Sequence, residues 1–115
     1  DYLQAMRVRR PMKRAMAKLF ERFDVIAAPT RSTVASPIDK NFEDAYPGIE
    51  SGPPLIATGN LCGLPALAMP NGLGENGLPT SLSFMGPAFS ERTLVSLGNA
   101  YQSRTDWHLR QPRTV

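Results

Sequence analysis

The sequence holds one cysteine, Cys62, one histidine, His108, and one tryptophan, Trp107, among 115 residues, and it does not open on methionine. A lone cysteine excludes an internal disulfide framework and fits a reducing compartment, so cytoplasm is the expected location. One histidine and one cysteine cannot complete a metal's ligand set, and the carboxylates show no helical pairing of the HExxH kind, so neither metal nor cofactor is expected. No run of about 18 apolar residues exists, and the first 30 residues are too basic and too interrupted for a signal peptide or a membrane span. The reading is a soluble protein with no membrane partner. Its start at Asp1, directly in a helix-like pattern, suggests a processed or truncated product.

What is present fits one domain: 42% of the residues are apolar, enough for a core of ordinary size at this length. The formal charge of +3 is uneven, because Arg7, Arg9, Arg10, Lys13, Arg14, Lys18 and Arg22 stand against only Asp1 and Glu21 in residues 1–22, which carry +5 and leave −2 for the rest. A cationic helix invites nucleic acid through phosphate neutralisation. No aromatic interleaves these charges and no nucleic-acid-binding motif follows, so no nucleic-acid partner is expected and the charges read as a solvated or partner-facing surface.

Val8, Met12, Ala15, Met16, Leu19 and Phe23 recur in steps of three and four, which predicts a helix from Tyr2 to Phe23 with a core stripe. Pro11, inside it, predicts a kink or a fresh start. Asp24–Ala28 reads as a short buried strand ended by Pro29, and residues 29–54, with five prolines, as a long irregular excursion. Leu55–Leu61 reads as a short helix closed by Gly63. Pro65–Met69 and Thr80–Met85 read as strands of a hairpin, with Asn71-Gly72 and Asn76-Gly77 suited to tight turns, and Leu82 and Phe84 on one face opposite Ser81 and Ser83. Ser90 is a candidate N-cap, stapled by Phe89 and Leu94, for a last helix buried through Leu94, Leu97 and Tyr101, with a close contact at Gly98. The polar tail TDWHLRQPRTV is expected to fray.

Candidate chemistry is sparse. Cys62 reads either as a nucleophile or as a small buried apolar residue, and no base marks it for the first role. His108, beside Trp107, reads as packing or surface rather than as a general base. NGLGENG lacks the Lys-Ser or Lys-Thr that a phosphate loop needs, and a hairpin explains it better.

Four segments in order, YLQAMRVRR, LFERFDVIAAPT, TGNLCGLPALAMPNG and GLPTSLSFMGPAFSERTLVSLGNAYQSRTDWH, together resemble the carboxy-terminal third of the amidase-signature family. The likeness runs from about Asp1 to Pro112 and is poorest from Arg31 to Pro53. It implies hydrolysis of a carboxamide by a serine activated through a second serine in a cis peptide by a lysine. Those residues lie upstream of the matched part. This chain has no adjacent serine pair and no Gly-Gly-Ser run, and its lysines, Lys13, Lys18 and Lys40, do not match the catalytic position, so no catalytic residue is assigned to it.

The resemblance implies an α/β segment over residues 1–115, with about three strands in a mixed sheet packed by two long helices. Its expected contribution is a wall of the substrate cleft, with the 29–54 loop near the pocket mouth and a small amide as the partner of the parent enzyme. More distantly, the glutamine-using subunits of tRNA-dependent amidotransferases are similar, and their carboxylate-holding arginine corresponds to Arg9, which also reads as ordinary helix-surface charge. Their acidic partner position corresponds to Pro53, a departure that favours a broader amidase. Thr58 and Asn60 border the cleft in this reading, or else cap and turn the backbone. An amidase portion inactive by itself leads; a stand-alone interaction module derived from the same fold is the rival. Either way, apolar surface is left open, which predicts self-association or marginal stability.

Overall fold

Pro11 does not break the first helix. In the computed structural model, which describes residues 1–50 and 54–111, α1 runs from Tyr2 to Phe20 straight through it. The fresh start admitted by the sequence is absent, and the helix ends at Glu21, short of Phe23, where the Arg22 amide bonds back to the Leu19 carbonyl at 3.1 Å and tightens the last turn. The expected core stripe is corrected as well. No residue of α1 is buried: Arg9, Met12, Met16 and Phe20 are half-covered, whereas Val8, Leu19 and Phe23 are exposed. The helix packs on α3 (Pro54–Cys62), too short an element to cover a stripe of this width.

Strand β1 (Ile26–Pro29) begins two residues later than expected and includes the proline. The excursion after it is less irregular than the sequence suggested, because it holds one helical turn, α2 (Phe42–Ala45), whose Asn41 side chain accepts from the Asp44 amide at 2.8 Å. Phe42 and Tyr46 stack at 5.4 Å, and the Tyr46 hydroxyl donates to the Ala35 carbonyl, which ties the loop to itself. Helix α3 closes as expected at Gly63, with φ of 69°, through a paired cap: the Leu64 amide bonds the Gly59 carbonyl and the Gly63 amide that of Asn60.

Strands β2 (Ala66–Leu73) and β3 (Pro79–Met85) form the hairpin, turning at Asn76-Gly77, where φ is 56° and 71°. Asn71-Gly72 is not a turn. It lies in β2 at a bulge between Pro70 and Gly72, with the Asn71 side chain accepting from the Thr80 hydroxyl at 2.9 Å. Turning at 76–77 lets the ladder extend to Leu73 opposite Pro79. The sheet order is β1-β3-β2, and both pairings are antiparallel. The α/β architecture with three strands and two long helices therefore holds, while the mixed sheet becomes antiparallel among the described residues, since β1 and β2 meet only β3 and never each other.

One sheet face carries Leu67, Met69, Leu82 and Phe84 and is covered by α4 (Glu91–Gln102) through Leu94, Leu97 and Tyr101. The Phe84 and Tyr101 rings meet edge-on at 6.1 Å. Gly98 makes the close contact expected of it: a Cβ there would stand 2.6 Å from Leu67 Cδ2. Ser90 is the N-cap residue, but its hydroxyl donates to the Pro87 carbonyl at 2.6 Å rather than capping, and the staple does not form. Phe89, at φ of 66°, is turned outward and 94% exposed. On the other face Met85 is fully buried beneath α3, pressing on Gly59. The tail does not fray before residue 112: Trp107–Leu109 form a 3₁₀ turn near β2, with Arg110 stacked 4.1 Å over the Trp107 ring and paired to Asp106 at 3.1 Å. The rest of the tail lies outside the described residues.

The packing is thin for the length. Only Cys62, Met69, Phe84, Met85 and Leu94 are buried apolar side chains among the described residues. The radius of gyration is 16.6 Å, against about 13 Å for a compact domain of this size. The accessible surface is 8788 Å², against roughly 6,200 Å² for a monomer of this mass.

Candidate functional site

Arg9 sits on the half-covered side of α1 and reaches α3, where its Nε donates to the Leu61 carbonyl. Its guanidinium also lies 3.6 Å from the point where a Cβ on Gly63 would stand. That spacing is ordinary van der Waals contact, and the cation lies at the carboxyl end of α3, where it meets the negative end of the helix dipole. Arg9 thus ties the two helices together.

Thr58 is half-buried and Asn60 exposed on α3. Two positions apart on a helix, they point to opposite sides, so one pocket wall cannot present both. The Asn60 carbonyl is already part of the Gly63 cap. Arg9 thus stands on α1 and Thr58 and Asn60 on the neighbouring α3. The Pro53 correspondence lies outside the described residues.

A hydroxyl-rich cleft of about 570 Å³ opens instead where residues following β1 face the start of β3, lined by Thr30, Arg31, Thr33, Ser36, Thr80 and Ser81, with Phe42 beneath Arg31. Next to it the Thr30 and Ser83 hydroxyls bond at 2.7 Å, with Ser83 buried, and the Thr33 hydroxyl is buried without a partner. The only sequence signals for it are the alternation in TSLS and the hydroxyl run TRST, which by themselves read as strand and loop. The serines at 81 and 83 do face away from Leu82 and Phe84, as alternation requires, but the second is buried rather than solvated.

Such a cleft offers hydroxyl and guanidinium groups to a polar partner. Lys13, Lys18 and Lys40 are all exposed, Cys62 is buried at 2% exposure, and His108 is exposed on the carboxy-terminal turn. No group of acidic, histidine or cysteine side chains among the described residues could hold a metal ion, and no peptide bond there is cis.

Comparison with known proteins gives this segment its setting. The family model described as Amidase matches residues 1–95. The A subunit of glutamyl-tRNA(Gln) amidotransferase from Chloroflexus aurantiacus (strain J-10-fl) is 41% identical over 114 residues, covering 99% of this chain and 23% of that protein. The protein of the same name from Roseiflexus sp. (strain RS-1) is 45% identical over 111 residues, covering 96% and 22%. The crystal structure of the corresponding Thermotoga maritima protein superposes with a TM-score of 0.64 at 26% identity, over 81% of this chain and 20% of that one. This chain spans about a quarter of the length of the curated relatives it matches. It belongs to the amidase family, of which it is a carboxy-terminal portion.

Proposed function

We propose that this chain is the non-catalytic wall of an amidase that hydrolyses carboxamide C–N bonds, with the serine nucleophile, the second serine and the lysine base on a segment this chain does not contain. The observation that carries the reading is a family match over residues 1–95 in a chain with no adjacent serines and no sheltered lysine. A lysine acts as a base only when desolvation or a neighbouring cation lowers its proton affinity, and three exposed lysines lack that setting. The test is ammonia release from aliphatic and aryl carboxamides by this chain and by a full-length parent side by side. Turnover is expected from the parent only. Turnover by the chain alone would overturn the reading, and a parent without turnover would favour the stand-alone interaction module.

The names of the relatives favour a second reading, in which the parent delivers the ammonia to another acceptor and works beside other subunits. Glutamine as the preferred amide would select it; aryl or aliphatic amides would select the broader amidase. A cytoplasmic location remains part of the proposal and rests on the unpaired Cys62; no helix among the described residues is long and apolar enough to cross a membrane.

Within the intact enzyme Arg9 would meet the substrate carboxylate, and Thr58 or Asn60, whichever side of α3 faces it, would border the cleft. Arg9→Ala should raise KM about tenfold or more for carboxylate-bearing amides while leaving neutral amides unchanged. If Arg9 serves only to tie α1 to α3, both substrate classes will suffer alike in kcat and KM, and that result would remove the binding role.

A further inference from the structure

We infer that the hydroxyl-rich cleft between the loop after β1 and the start of β3 is a binding site for a small organic carboxylate, an acid with a charged head and an apolar or aromatic body. The site shares no residue with Arg9, Thr58 or Asn60. Contacts within this chain hold its walls. The Thr30 amide bonds the Ser81 carbonyl at 2.9 Å, and the Tyr46 hydroxyl donates to the Ala35 carbonyl at 3.2 Å. Val34 stands so close to the hairpin that a Cβ on Gly74 would meet its Cγ1 at 2.6 Å. A cleft preorganised in this way loses little of a ligand's binding energy to ordering the protein.

The placement of hydroxyl protons sets the chemistry of the ligand. Ser83 is buried, and Thr30 is its only side-chain hydrogen-bond partner among the described residues, at 2.7 Å. Were Thr30 the donor, the Ser83 proton would be buried without an acceptor, which is costly. Ser83 therefore donates, and the Thr30 proton is left for the cleft. Thr33, a second lining residue, has a buried hydroxyl with no partner, and Ser81 adds a half-buried third. Binding would draw the Thr33 oxygen to the wall by a change of χ1 rotamer.

Charge points the same way. The Arg31 guanidinium, 5.8 Å from the Phe42 ring centroid, brings positive charge, and no acidic side chain lines the cleft among the described residues. Several hydroxyl donors beside one cation suit a carboxylate, which only accepts hydrogen bonds and offers lone pairs on two oxygens. The volume of about 570 Å³ lies in the range of organic ligands rather than of a bare anion, and Val34, Phe42 and Pro79 supply apolar lining for the body of the acid.

The probe is benzoate, titrated into the isotope-labelled chain while its amide resonances are followed. Saturable shifts are expected at Thr30, Arg31, Thr33 and Ser81, with an affinity about tenfold above that for benzamide, the neutral isostere. Arg31→Gln should weaken benzoate binding about tenfold. Thr33→Val removes an unpaired buried hydroxyl, so it should leave the urea midpoint unchanged or raised and still weaken benzoate about fivefold. The inference is overturned by the absence of saturable shifts at these residues, by benzamide binding as tightly as benzoate, by inorganic phosphate displacing benzoate at equal concentration, or by either variant binding benzoate like the parent. None of these measurements involves amide hydrolysis, so the site stands or falls apart from the amidase reading.

Discussion

Phe84→Ala should abolish cooperative unfolding of this chain. Phe84 lies on the central strand, opposite Ala27 on one side and Leu67 on the other, and is 7% exposed. Its ring meets Tyr101 edge-on and belongs to the cluster of Met69 and Leu94. Truncating a buried phenylalanine removes about 3–5 kcal/mol, part from lost transfer energy and part from the cavity left behind. A domain holds only about 5–15 kcal/mol in total, and five buried apolar side chains among the described residues, with an oversized surface, place this one at the low end. Far-UV circular dichroism in a urea series reads the result. The variant should show no sigmoidal transition at 25 °C, whereas Leu73→Ala, at a 54% exposed position, should stay within about 0.5 kcal/mol of the parent. A Phe84→Ala midpoint close to the parent's would mean that the α4 face of the sheet is not the cooperative core.

The second large effect lies on the opposite face, between α3 and β3. A Cβ on Gly59 would stand 2.2 Å from the Met85 Cε and 3.2 Å from its sulfur. Met85 is ordinarily adaptable, but at 2% exposure it has little room to retreat. Met85→Ala should cost about 2–5 kcal/mol through the cavity it opens. Gly59→Ala should cost about 1–3 kcal/mol by overpacking, even though alanine is the better helix former by about 1 kcal/mol. Combining them should reverse the sign for Gly59→Ala, because in the Met85→Ala background the methyl fills vacated space and only the helix propensity remains. Urea midpoints of the four proteins in this cycle give the coupling. Additive effects would show that α3 does not rest on Met85 through Gly59.

The parts of the fold that were legible are those governed by local period. The α4 stripe of Leu94, Leu97 and Tyr101, the alternation around Phe84 and the glycine that closes α3 each depend on residues within a turn or two of one another. Gly98 was legible because a glycine inside an amphipathic helix needs a reason, and Leu67 is that reason. Choices between equivalent signals were not legible: two Asn-Gly pairs both permit positive φ, and only the ladder partner Pro79 decides that the chain turns at the second. Phe89 and Leu94 had staple spacing, but the backbone at Phe89 turns left-handed and carries the ring into solvent. The stripe on α1 was legible as a stripe; whether anything covers it depends on the rest of the fold.

The candidate site was less legible for the same reason. Arg9 and Leu61 are 52 residues apart, Thr30 and Ser83 53 apart, and no periodicity links either pair. Arg9, Thr58 and Asn60 came from resemblance alone, and the geometry of α3 sends the last two to opposite sides. The hydroxyl cleft escapes sequence reading because serine and threonine in a strand and a loop carry no signal beyond polarity.

Trp107 stands outside the Phe84 cluster, on a short turn against the edge strand β2, with the Arg110 guanidinium over its ring. As the sole indole in the chain, it makes intrinsic emission a reporter of that corner alone. Release of the turn would change the emission by withdrawing the cation and admitting water, with every strand still paired. Fluorescence and ellipticity traces followed during unfolding should therefore separate, the optical signal of the corner moving before that of the sheet.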